Sequence, residues 1–203
     1  MRTFRRVAEV LLVTSLLLAT FPVSAQAGPP STVNVVVTDD IYTPSIVDLK
    51  RGGTVIFDHL GPSHHTATDD SGMQMYDSGA VGPGAPSTVF TYPAAGIYLF
   101  TCTLHPWMGG RVQIPVWARP ATGWLHRIYT VRWADTPGTD RFVYDVQVRR
   151  PGGEWQRWLR GEIDIEGTFV PDRGPGRYRF MATMRRLAGG QGIWSRPDSI
   201  LAS

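Results

Sequence analysis

Cys102, His105 and Met108 stand three residues apart in the segment FTCTLHPWMGG, which runs from Phe100 to Gly110. They offer a thiolate, an imidazole and a thioether, ligands that suit a soft or borderline metal. Cys102 is the only cysteine in the chain. A lone cysteine is often just a small buried hydrophobe. In an oxidising compartment, however, a free thiol is open to oxidation or to pairing with a second chain. Structural zinc would call for four strong ligands and usually more cysteines, and an iron–sulfur cluster for several thiolates. One Cys and two His with a weak axial Met is the set that points to copper in an electron-transfer centre. The second histidine must then come from elsewhere: His59, His64 and His65 lie in DHLGPSHHTATDD, and His126 lies further along. Neighbours on an extended segment point to opposite sides, so only one of His64 and His65 would face such a metal, and spacing does not choose between them.

These groups need rigid elements to hold them, and the chain reads as strands. STVNVVVTD is β-branched and partly alternating, GGTVIFDH follows a glycine turn, STVFTYPAAGIYLFTC gives two strands around Pro93–Gly96, and GRVQIPVW gives one more. No segment carries a helical period. Cys102 falls at the end of a strand, which fixes its sulfur, and the short turn after it can bring His105 and Met108 back to the same point. Beyond residue 120, HRIYTVRWAD, RFVYDVQVRR, GEWQRWLRG, GTFVPD, GRYRFMATMRR and GIWSRPDS recur at the spacing of a small sandwich. In YDVQVRR and YRFMATMRR one face is apolar and the other carries Arg and Gln. The 22 glycines and 16 prolines are spread out, as a turn-rich all-β chain requires.

The first residues read differently. Three arginines, an apolar run from Val10 to Phe21 and Ala25-Gln26-Ala27 make residues 1–27 a secretory signal peptide cut before Gly28; the run is too short to span a membrane. Arg5-Arg6 fits twin-arginine export poorly. Cleavage removes three Arg and Glu9, leaving seventeen basic and sixteen acidic residues of the original 20 and 17. The charge then divides: residues 28–119 hold four basic and seven acidic side chains, and residues 120–203 hold thirteen and nine. WARPATGW lies between, and a domain boundary is expected there, separating residues 28–119 from 120–203. No basic block suggests nucleic acid. There is no G-x-S-x-G nucleophile and no phosphate-binding glycine loop.

The run Y-x-F-x-C-T-x-H-P-W-M-x-G, from Tyr98 to Gly110, resembles the copper loop of plastocyanin/azurin-type cupredoxins, above all the short-loop, amicyanin-like members. HTATDDSGMQMYDSG resembles the segment that carries their first histidine. The resemblance implies a Greek-key β-sandwich with His65, Cys102 and His105 as strong ligands to one type 1 copper ion and Met108 as a longer axial contact. It also implies that redox partners dock around His105, ringed by Leu104, Pro106 and Trp107. Loop packing is the plain alternative for Leu104 and Trp107. Leu104 departs from the proline common in amicyanin-like loops, which loosens the loop and removes no ligand. The second half resembles a fibronectin type III domain: Trp133 as core tryptophan, Tyr144 opening a Y-x-V-x-x-R strand, G-x-Y-x-F-x-A around Tyr178 and W-S-x-P as a last-strand ending. That implies a seven-stranded sandwich used for spacing, adhesion or protein contact.

Together these readings describe an exported, non-enzymatic protein, periplasmic or at a bacterial cell surface, that carries single electrons on copper, with an interaction domain behind it. A copper storage or delivery protein is the first alternative, and Met73 and Met75 in GMQMYD could serve it, though such methionines usually fill loops or cores. An adhesion scaffold whose copper-type domain has no redox role is the second. His64 is expected to face solvent or support the site, and His59 and His126 to be structural. Asp69 and Asp70 read as a solvated turn. Arg149, Arg150, Arg179, Arg185 and Arg186 form a basic sheet face, either simply solvated or facing an acidic protein or cell-surface partner. The His-x-His pairs of a multicopper oxidase are missing.

Overall fold

The computed structural model describes residues 28–203, and the expected signal peptide, residues 1–27, lies outside them. The all-β class expected from the sequence is found: no helix occurs among the described residues. The first half contributes β1 (Thr32–Thr38), β2 (Ile41–Thr43), β3 (Ile46–Asp48), β4 (Gly53–His59), β5 (Thr68–Asp69), β6 (Thr88–Tyr92), β7 (Gly96–Cys102) and β8 (His105–Ile114). One sheet runs β2-β1-β4-β6 and the other β3-β8-β7-β5. Alternation explains how they close on each other. In β4 every second residue from Gly53 is buried, and in β7 Gly96, Tyr98, Phe100 and Cys102 all face inward. Across the gap Tyr42, Phe57 and Phe100 meet edge to face, with ring centroids 5.0 to 6.0 Å apart. Cys102 is therefore placed on the core side by the same period that buries Tyr98 and Phe100.

The second half contributes β9 (Trp117–Arg119), β10 (Thr122–Gly123), β11 (Tyr129–Arg132), β12 (Phe142–Arg149), β13 (Trp155–Glu162), β14 (Glu166–Phe169), β15 (Gly176–Arg186) and β16 (Asp198–Ala202). Its sheets run β14-β11-β9 and β10-β16-β15-β12-β13. Trp133, Trp158, Phe169 and Phe180 pack between them. Two expectations need correction. GIWSRPDS is not itself a strand. Gly192 and Ser195 donate backbone bonds to Met184 and Ala182 beside β15, but Pro197 has no N–H to give, and the last strand starts at Asp198. The run GRVQIPVW does not end in the first half: it breaks at Pro115, and Trp117–Arg119 pairs with β11. The polar face of β12 also carries a surprise. Asp145 is buried, accepting from Gly161 N at 2.8 Å and from Arg185 Nε at 2.9 Å.

The two halves share one construction. In GIYLFTC, Tyr98 OH donates to Ala94 O, and in GRYRFMA, Tyr178 OH donates to Gly174 O, both at 2.8 Å and four residues back. Tyr178 OH also accepts from Arg173 N at 2.9 Å. Each tyrosine pins the turn before its strand to the core. Tyr178→Phe leaves both backbone partners unsatisfied and is expected to cost about 1–3 kcal/mol, read as a lower urea midpoint with an unchanged m-value.

The halves also touch directly. Ala95 N donates to Trp133 O at 2.7 Å, Asp135 N to Pro93 O at 2.8 Å and Ile97 N to Ile193 O at 3.0 Å. Arg186 Nη1 reaches Gln74 Oε1 at 2.5 Å and Arg141 Nη2 reaches Gln74 O at 3.2 Å. Buried side chains form a continuous cluster from Val35 to Ala202.

Candidate metal centre

At its upper end β7 breaks register between Thr101 and Cys102, and Cys102 pairs with His105 across a two-residue turn. The turn folds His105 back onto the thiol, with Nδ1 3.4 Å from Cys102 Sγ. His65 arrives from the segment between β4 and β5. Its backbone exchanges two hydrogen bonds with Val81, at 3.0 and 2.8 Å, which fixes the ring's direction. His65 Nδ1 lies 3.9 Å from Cys102 Sγ. The three donor atoms lie within 4.8 Å of one another, and the two imidazole centroids are 4.7 Å apart. Cys102 and His65 are each 1 % exposed. Met108, early in β8, is also 1 % exposed, and its carbonyl accepts from Thr101 Oγ1 at 3.1 Å.

Thr66 ties the pieces together. Its N–H donates to Cys102 Sγ at 3.3 Å, its Oγ1 accepts from Thr103 N and from Thr68 Oγ1, each at 2.9 Å, and its carbonyl accepts from Tyr42 OH at 2.5 Å. One residue thus joins the His65 segment, the Cys102 turn and the opposite sheet. An N–H aimed at the sulfur holds the side chain in place from the His65 segment.

Two groups here carry no signal in the sequence. Asp39, in the turn between β1 and β2, places Oδ1 3.2 Å from His65 Nε2. Its hydrogen bond to His65 holds its carboxyl below the ordinary carboxylate range. Asp40 accepts from Trp107 Nε1 at 3.0 Å. Nothing in the neighbours of this pair marks it as part of a site.

The remaining histidines separate cleanly. His64 is exposed and turned toward Gly82. His59 is buried, 3.4 Å from Thr88 Oγ1, and burial lowers its pKa below the usual imidazole value. His126 is exposed in the second half. Met73 is fully buried beside Gly192, and Met75 packs against the same cluster, which is a core role for both. Around His105 the side chains stay outside: Leu104 is 48 % and Trp107 70 % exposed, with Pro106 exposed between them. Trp107 therefore is not buried by loop packing.

The donor set fits a metal. Two imidazole nitrogens face one thiol sulfur in a buried pocket with no second cysteine, and thiolate with imidazole suits copper or zinc. Only three strong donors converge among the described residues, short of the four of a structural zinc site.

No family model matches the chain, and no curated protein matches it. Similar solved structures include cupredoxins and a copper enzyme. A purple cupredoxin from Nitrosopumilus maritimus is 19 % identical with a TM-score of 0.37, over 40 % of this chain and 97 % of that one. A Cu-containing nitrite reductase from Thermus scotoductus SA-01 is 22 % identical with a TM-score of 0.36, over 46 % of this chain and only 24 % of that one. An amicyanin mutant in its reduced Cu(I) form is 21 % identical with a TM-score of 0.36, over 42 % and 83 %.

Proposed function

We propose that this chain is an exported electron carrier that holds one type 1 copper ion in a cupredoxin-like sandwich, β1 to β8, with a fibronectin type III-like sandwich, β9 to β16, behind it. The observation that carries the reading is the convergence of His65 Nδ1 and His105 Nδ1 on Cys102 Sγ, at 3.9 and 3.4 Å, at the end of a core strand. His65, Cys102 and His105 would be the strong ligands, and buried Met108 the axial thioether. Copper bound there would supply one-electron exchange between Cu(I) and Cu(II). The chain's own part is to keep the ligands still. The strand end fixes the sulfur, Thr66 braces both ligand segments, and Val81 locks the His65 backbone, so little has to move when the charge changes. His105 is the half-exposed ligand. Leu104, Pro106 and Trp107 around it suit an apolar docking rim for a redox partner, in keeping with a carrier role.

Storage and delivery have weaker support, because Met73 is fully buried and Met75 packs against the same core. For the second half, seven strands in the orders β14-β11-β9 and β16-β15-β12-β13, with short β10 added, support the fibronectin-like reading. Arg149, Arg150, Arg177 and Arg179 line a cavity of about 280 Å³ there, which suits an acidic protein or cell-surface partner. Among the described residues no helix is long and apolar enough to cross a membrane.

The test is to add one equivalent of Cu(II) to residues 28–203 and record visible and electron paramagnetic resonance spectra. An intense band in the red with narrow copper hyperfine splitting is expected. A pale solution with ordinary splitting would mean that the thiolate does not bind the ion.

A further inference from the structure

We propose that Asp39 is a positioning residue that sets the electronic balance of the centre, fixing His65 in one tautomer and biasing a bound metal toward its more positive state. The proposal rests on the copper reading above. The geometry is specific. His65 turns Nδ1 toward Cys102 Sγ and Nε2 toward Asp39 Oδ1, 3.2 Å away. An ionised carboxylate can only accept, so Nε2 must carry the proton, and the Nδ1 lone pair is left facing the sulfur. With the ring 1 % exposed, water does not offer Nε2 an equal partner.

Asp39 is itself held. Ser63 N donates to the same Oδ1 at 3.2 Å, and β1 and β2 pair at Thr38 and Ile41, so Asp39 and Asp40 form a closed two-residue turn with Asp40 at φ 66°. Through Asp40 the same turn grips Trp107, two residues beyond His105. A single hairpin tip therefore restrains both histidine-bearing segments.

A neutral acceptor, such as a backbone carbonyl, would orient His65 equally well. A carboxylate adds a fixed negative charge. Among the described residues no Lys or Arg pairs with Asp39, and the His65 ring is its ion-pair-distance neighbour. Its side chain is 44 % exposed, so water screens that charge without cancelling it. Negative charge at the far nitrogen of a ligand strengthens donation from the near one and favours the more highly charged metal. The direction is a lower reduction potential.

Asp39→Asn and Asp39→Ala separate orientation from charge. In the metal-free chain, long-range nitrogen–proton NMR should show His65 as the Nε2–H tautomer. Asn should keep that tautomer, because its amide oxygen still accepts, and Ala should loosen it and speed exchange of the Nε2 proton. In the copper-loaded chain, Asn should shift the Cu(I)/Cu(II) equilibrium at least tenfold toward Cu(I), a rise of about 59 mV for one electron, while the visible band stays. A smaller shift, a shift toward Cu(II), or an Nδ1–H tautomer in the metal-free wild type would each overturn the proposal. A wild-type chain that took up no copper would sink the functional reading instead, and the metal-free tautomer would still decide whether Asp39 positions the ring.

Discussion

Cys102→Ser is expected to lose the intense red band completely and to give copper an ordinary, wide hyperfine splitting. The reason is chemical. The band belongs to charge transfer from a thiolate, and a serine hydroxyl near neutral pH is neither ionised nor soft. The geometry makes the loss total, since Sγ is the atom that both Nδ1 atoms face, at 3.4 and 3.9 Å. His65 and His105 would still converge and could still hold Cu(II), so the variant should bind the ion without the colour. The fold should survive. Serine is nearly isosteric with cysteine, and Thr66 N, now bonded to the sulfur, finds an oxygen acceptor instead. A Cys102→Ser protein that stayed blue would show that the sulfur is not a ligand.

Trp133→Ala is expected to cost about 3–5 kcal/mol, the range for removing a buried large aromatic. That is a large part of the roughly 5–15 kcal/mol that holds a typical domain, and for a chain of this size it corresponds to a fall in Tm of about 6–20 °C. Trp133 is 1 % exposed, its ring meets Trp158 edge to face at 6.2 Å, and its Nε1 donates to Asp164 O at 2.6 Å. The ring also lies over Gly167, where an added Cβ would come within 3.0 Å of it. Alanine would leave a void, an unpaired carbonyl and an unsupported Trp158. The backbone of residue 133 still accepts from Ala95 N, so the halves should stay joined and unfold in one transition at the lower temperature. The copper spectrum at 25 °C should not change. A loss below about 1 kcal/mol would mean that the core closes over the gap.

Much of this architecture is legible in the order of the residues alone. β4 and β7 alternate strictly, so period two by itself puts Cys102 on the side of Tyr98 and Phe100. The spacing of Cys102, His105 and Met108 points to a ligand loop, and the turn does bring His105 onto the sulfur. What stays hidden does so for physical reasons. The strands β2, β3, β5 and β10 have two or three residues each, too few for any period to show; longer neighbours create them by pairing. The choice between His64 and His65 needs the phase of an extended segment, and that phase is set by pairing with Val81, well along the chain. Asp39 resembles solvent-facing turn chemistry, because nothing local reveals which buried ring a turn will meet. Trp117–Arg119 reads as more of β8, and only the pairing with β11 shows the strand switching sheets.

The backbone bonds from Ala95 and Ile97 to Trp133 and Ile193 have one more consequence. In its sheet β7 has β8 on one side, and on the other only β5, which reaches no further than Phe100 and Thr101. The lower part of β7 would be an open sheet edge, with N–H and C=O groups free to recruit a foreign strand. The second sandwich covers it. A fragment trimmed to its first half would thus bare an aggregation-prone seam at the end of β7 away from Cys102, and the accompanying module serves as a permanent guard against that, whatever partner it also meets.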